Sequence, residues 1–208
     1  MNSGVEPIES PAGFGQAAAR VLVAGVGNIF LRDDGFGPEV ARRLAGDSRL
    51  SASGVLAAGD LAAGVSSADV SSAGASSAGV RVVDYGIRGM HLAYDLLDGV
   101  DVLVLVDAVP SADADAAAGS LRVMRIRQED LDLDAALDPH GMNPAAVLGR
   151  LRTLGGELPT TYVVGCVPAD VSEGIGLSDP VTAAVPGAVA AVVSLLTGHT
   201  LDNPSVTA

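Results

Sequence analysis

The sequence predicts an α/β fold: a single domain in three layers, with a mostly parallel, twisted sheet of about five strands and helices on both faces. Three observations carry the prediction. Short runs of Val, Leu and Ile recur without polar alternation, as in strands buried on both faces. Between them stand segments with apolar residues at helical spacing, opened by Asp, Asn or Pro. Strands that alternate with helices along one chain build a parallel-rich sheet.

Residues 1–19 hold Pro, Gly and Glu without periodicity and are expected to form a flexible tail before a domain spanning 20–198. Arg20–Gly25 (RVLVAG) is the first strand. It breaks at Gly25-Val26-Gly27-Asn28, and a helix follows with Val40, Ala41 and Leu44 as its apolar face. Asp33 and Asp34 are placed to cap that helix, with Pro38 in its first turn. In 47–79, Ser, Ala and Gly fill 23 of 33 places, so this stretch is expected to be a low-complexity insertion loop.

Val80–Asp84 (VRVVD) is the second strand. Arg88–Leu97 is the next helix, with Met90, Tyr94 and Leu97 at core-facing spacing. Asp101–Asp107 (DVLVLVD) is a third strand that ends on an acid. Leu121–Arg127 (LRVMRIR) alternates apolar and basic residues, as an edge strand with one wet face does. Asn143-Pro144 opens a helix to about Thr153, and Thr161–Cys166 (TYVVGC) is another strand. Ser178-Asp179-Pro180 caps a last Ala/Val helix that runs to Gly198, with Pro186 as a kink. Residues 199–208 are a C-terminal tail.

Composition narrows the function. Twelve Lys and Arg against 25 Asp and Glu leave a formal net charge of −13, which repels phosphate backbones and anionic lipid. Nucleic acid and membrane are therefore not expected partners. One cysteine excludes a disulfide framework and fits a reducing compartment. No basic-then-apolar signal segment opens the chain, and no uninterrupted apolar run is long enough to span a bilayer. The expected setting is the cytoplasm.

In open α/β sheets, functional groups gather beyond the carboxyl ends of the strands. Asp33/Asp34, Asp84 and Asp107 all fall there, and His140 lies in the turn-rich Asp138-Pro139-His140-Gly141 segment before a helix. Two carboxylates and an imidazole, without thiolates, suit a divalent metal of intermediate hardness and not structural zinc. Each residue also has a structural use. Asp33 and Asp34 can be caps, Asp84 heads a glycine-containing turn, and His140 can be a plain loop residue. Asp107, after five apolar residues, needs partners wherever it is buried. His91 reads as a surface residue, His199 as a helix-end residue, and Cys166 as a buried thiol with nothing basic near it in sequence.

Gly25-Val26-Gly27 after a strand begins a dinucleotide-binding pattern, but Phe30 occupies the third glycine position. Asp84 also stands far beyond the spacing of about 20 residues that such sites use. No nucleotide cofactor is expected. No nucleophile-elbow serine motif and no phosphate-loop lysine motif occurs.

Six motifs in order resemble one known family. They are Gly25-Val-Gly-Asn28-Ile-Phe-Leu-Arg-Asp33-Asp34-Gly35-Phe-Gly37-Pro38, Val83-Asp84-Tyr85-Gly86-Ile87-Arg88-Gly89-Met90, Val106-Asp107-Ala108, His140-Gly-Met-Asn-Pro144, Val164-Gly165-Cys166-Val167-Pro168 and Gly174-Ile-Gly176-Leu177-Ser178. Together they look like the hydrogenase maturation proteases, endopeptidases that trim the C-terminal extension of the nickel–iron hydrogenase large-subunit precursor. The resemblance runs from about Arg20 to Leu196, the insertion excepted. It implies an enzyme of the aspartic type by family classification, with that precursor as partner. It also implies that Asp34, Asp107 and His140 contact nickel carried by the substrate, with Asp34 or Asp107 as catalytic base. Two departures stand out. The family's first acid is Glu or Asp, and Asp34 is the shorter choice by one methylene. Ser111–Ser120 (SADADAAAGS) replaces the Gly-rich loop that often follows the second acid. The alternative is a chaperone that senses nickel through the same three residues and cuts nothing.

Overall fold

Four of the five apolar runs lie side by side in one sheet and point the same way. The computed structural model describes residues 20–47, 79–110, 116–127, 148–149, 151 and 154–197. In chain order these form β1 (Arg20–Val26), a 3-10 turn (Arg32–Gly35), α1 (Phe36–Ala45), β2 (Gly79–Gly86), α2 (Gly89–Leu97), β3 (Val102–Ala108), β4 (Leu121–Ile126), β5 (Thr160–Cys166) and α3 (Asp179–Thr197). The strand order is β2-β1-β3-β5-β4. β1 pairs in parallel with both β2 and β3, and β3 pairs in parallel with β5. β4 is antiparallel to β5 and lies at the edge, where its alternating pattern placed it.

The two sheet faces divide the core. Val21 and Val23 of β1, Val102, Val104 and Val106 of β3, and Tyr162 and Val164 of β5 pack under α1 and α3. Leu22, Ala24 and Val26 of β1, Leu103 and Leu105 of β3, and Val163 of β5 pack under α2 and the helical residues Leu148 and Leu151. Strands read as apolar runs because each face has its own helical cover. The three-layer α/β fold with a five-stranded, mostly parallel sheet is therefore the observed one.

Several local expectations change. Neither Asp33 nor Asp34 caps α1: Gly35 precedes that helix with no side-chain cap, and both carboxylates bond elsewhere. α2 buries Leu92, Ala93 and Leu96, not the expected stripe, and leaves Met90, Tyr94 and Leu97 exposed. The segment GMHLAYDLL is apolar on most sides, so spacing alone leaves its rotation open. Asp95 sets it, by accepting hydrogen bonds from the Tyr85 hydroxyl and from Arg81 Nη2 on β2. His91 is exposed, as expected.

α3 is long and apolar enough to cross a membrane by length and composition, yet it buries Val181, Val185, Val189 and Val192 among others in the core. Pro186 lies inside it at an exposed position. The expected cap at Asn143-Pro144, the tails, His199 and residues 48–78 of the insertion lie outside the described residues.

Candidate functional site

β2 lies on one side of β1 and β3 on the other, so the chain reverses its direction of travel across the sheet between β1 and β3. In doubly wound sheets the crevice beyond the carboxyl ends at such a point is where ligands bind. Three glycines let the elements close on it. A Cβ on Gly37, in the first turn of α1, would collide with the carbonyl oxygens of Val26 and Val106. The start of α1 therefore sits directly on the ends of β1 and β3. Gly25 faces Gly37 just as tightly, and Gly27, at φ 131°, leaves no room for a Cβ beside the Asp34 carbonyl. Asp34, two residues before α1, is thereby brought to Asp107, one residue after Val106.

Asp107 is 7% exposed. By strand alternation it shares the face of Leu103 and Leu105. Burial pushes its carboxyl well above the ordinary carboxylate range, and the neighbouring charge of Asp34 pushes the same way; the Ala108 N–H works against both. Among the described residues no Lys, Arg or His forms an ion pair with either acid. Asp34 Oδ2 accepts the Asn28 N–H at 2.7 Å, which ties the glycine loop after β1 to the acid.

A divalent cation would relieve the repulsion between the two acids by replacing the proton that burial favours on Asp107. Oxygen donors plus the imidazole expected from His140 form a set suited to such an ion. Asp34 and Asp107 are together; His140 lies outside the described residues, among which no three potential metal-binding side chains cluster.

The other candidates have structural duties. Asp84 Oδ1 accepts the Gly86 N–H at 2.9 Å, closing the turn after β2, and the Arg88 guanidinium bonds the Asp84 and Tyr85 carbonyls. Cys166 is buried, and burial with the Asp33 charge pushes its thiol up to about 11. Asp33 is the residue whose role the sequence did not disclose. Fully buried, it accepts hydrogen bonds from the backbone N–H groups of Ala169 (2.8 Å), Asp170 (3.0 Å) and Ser178 (2.6 Å) and from the Ser178 hydroxyl (2.9 Å). These bonds hold its carboxyl below the ordinary range even though burial opposes them.

A doubly wound α/β fold with two acids together at its switch point, neither in an ion pair among the described residues, defines an α/β scaffold with a candidate hydrolytic or metal-contacting centre beyond its strand ends. Comparison with known proteins makes the class specific. The chain belongs to the hydrogenase maturation protease family, whose model matches residues 69–195, more than half of its length. It is 27% identical over 177 residues to the hydrogenase 2 maturation protease of Escherichia coli K12, covering 85% of this chain and 90% of that one. It is also 27% identical over 179 residues to the coenzyme F420 hydrogenase subunit delta of Methanothermobacter thermautotrophicus, covering 82% of this chain and 90% of the relative. Among solved structures, the hydrogenase maturating endopeptidase HybD of E. coli superposes with a TM-score of 0.59 at 27% identity, covering 85% and 91% of the two chains. A hydrogenase 2 maturation peptidase from a Thaumarchaeota archaeon gives 0.54 at 26% identity, covering 85% and 97%. The activity that goes with this membership is hydrogenase maturation proteolysis.

Proposed function

We propose that this endopeptidase removes the C-terminal extension of a nickel–iron hydrogenase large-subunit precursor once nickel has been inserted, and that it reads the metal through Asp34, Asp107 and His140. The observation that carries the reading is Asp107: a buried acid at the switch point, beside a second acid and with no cation paired to it among the described residues. Nothing among the described residues repays that arrangement, whereas a positively charged partner does. In this reading nickel is part of the substrate. It docks the scissile bond beside the two carboxylates, polarises the carbonyl or a water, and leaves one carboxylate to take the proton from the attacking water. That carboxylate chemistry corresponds to an aspartic-type classification.

The net charge of −13 supports a cationic or metal-bearing partner over nucleic acid or an anionic membrane, and the lone buried thiol supports a cytoplasmic setting. The family likeness and the broken glycine pattern support a site without a nucleotide cofactor. One relative is named as a hydrogenase subunit and not as a protease, which favours a second reading: a nickel-sensing chaperone that uses the same three residues without cutting.

The deciding experiment incubates the purified protein with large-subunit precursor in nickel-loaded and nickel-free forms and follows precursor mass. A shortened product from the loaded form alone is the expected result. Binding of the loaded form without shortening would replace the protease by the chaperone, and equal cutting of both forms would remove nickel from the recognition.

A further inference from the structure

The 168–178 loop after β5 is tied to the segment that leads into the site, and four of the ties converge on one side chain. Asp33 accepts its four bonds from Ala169, Asp170 and Ser178, which bracket the loop at both ends. The backbone adds a seam: the Asp33 N–H donates to the Asp170 carbonyl (3.1 Å), the Arg32 N–H to the Gly174 carbonyl (3.1 Å), and the Gly174 N–H to the Phe30 carbonyl (2.9 Å). Leu31 and Gly174 thus form an isolated parallel bridge, and Arg32 pairs with Asp170 at 3.2 Å. Arg32 reaches this seam at a φ of 47°, the sole positive value for a non-glycine among the described residues.

Beside the exposed Asp170, Ser172 and Glu173, the seam displays four apolar side chains. Ile175 is 78% exposed and Phe30 is 62% exposed; Val171 and Ile29 are exposed by about half. Leu177 packs against the core, but the exposed apolar tips add nothing to it, so folding does not account for their display on a loop held by a buried carboxylate with four donors. The residue after Asp33 is Asp34, so the loop is registered against the segment that carries the site.

We propose that Asp33 is a positioning residue for the maturation reaction: it fixes the 168–178 loop beside Asp34 as a wall that receives an apolar stretch of the precursor polypeptide. This rests on the reading that the precursor is cut beside Asp34 and Asp107. Asp33 itself touches no substrate. It acts through the loop.

The test uses the full chain with nickel-loaded precursor and measures KM, kcat and amide hydrogen exchange. Asp33→Asn keeps the shape but turns an NH₂ group toward N–H donors, so the bracketing bonds cannot all form. Exchange at Ala169, Asp170 and Ser178 is expected to rise while Val104 and Val164 in the sheet stay protected, and KM is expected to rise about tenfold with kcat changed by less than about threefold. Ile175→Ser, at an exposed position that leaves the fold alone, is expected to raise KM by about threefold without moving the melting temperature. Unchanged KM in Ile175→Ser overturns the proposal, even if Asp33→Asn fails to fold. A fall in kcat alone in Asp33→Asn also overturns it, because Asp33 would then act on Asp34 and not through the loop. A wild-type chain that leaves the loaded precursor intact overturns the underlying reading; a cutting wild type with unaltered variants overturns only this inference.

Discussion

Asp107 and Cys166 end neighbouring strands and share a cause, burial, with different consequences. Burial raises the Asp107 carboxyl above its ordinary value of 3.8, so as pH rises the unfolded chain releases this proton before the folded chain does. The folded state then binds more protons than the unfolded one, and stability falls from about pH 4 upward until the folded value is passed. Asp107→Asn removes that penalty. Its expected signature is a melting temperature higher by roughly a few degrees at pH 7, no gain at pH 3, and loss of precursor processing. Scanning calorimetry at the two pH values and a processing assay check it. Equal melting at both pH values would show that the raised carboxyl is not limiting. The Cys166 thiol, pushed up to about 11 and buried, stays protonated near neutrality. Iodoacetamide at pH 8 is expected to leave it unmodified in the folded protein and to alkylate it in denaturant, as read by mass spectrometry.

At the scale of elements, α1 and the insertion make opposite demands. α1 meets the ends of β1 and β3 through Gly37, where any side chain meets two carbonyl oxygens. Gly37→Ala is expected to cost about 3 kcal/mol in urea unfolding and to lower processing with it, because the contact that would be forced apart is the one that brings Asp34 to Asp107. A loss below about 0.5 kcal/mol would mean that α1 can shift without harm. The insertion lacks the apolar periodicity that offsets ordering entropy. Deleting residues 52–74, which leaves a short linker between α1 and β2, is expected to leave the melting temperature near that of the parent. A marked fall would show that the insertion contributes to the fold.

For the molecule as a whole, the site draws on chain segments that meet only when the sheet is assembled. His140 is the member that the proposed function leans on most. His140→Ala is expected to abolish processing with the circular dichroism spectrum and melting temperature retained, whereas exposed His91→Ala stays active. Processing within a few-fold of the parent in His140→Ala would remove the imidazole from the site. The same view predicts that the purified protein binds free Ni²⁺ weakly and is isolated largely without metal, since the precursor delivers the ion. Tight, stoichiometric zinc or iron measured by elemental analysis would point to a resident metal instead.

The sequence by itself determined the strands, the burial of β1, β3 and β5 on both faces, the edge position of Leu121–Ile126 and the acids near strand ends, because period and apolar continuity report directly on which backbone faces are covered. The VRVVD run also reads as a buried strand, but β2 lies at the other edge and is buried on alternate residues. It also made Asp84 a turn residue and Cys166 a buried thiol. Only the tertiary structure decided which face of α2 is buried, since that helix is apolar on most sides and Asp95 chooses its rotation from β2. Only the tertiary structure, likewise, separated Asp33 from Asp34. Side by side in sequence, the two look like interchangeable helix caps. In the fold, one receives donors from residues 136 to 145 positions away, and the other accepts the Asn28 N–H and lies close enough for its charge to act on Asp107. Local pattern constrains a residue's own backbone. Which distant donor or charge meets its side chain depends on where the rest of the chain returns.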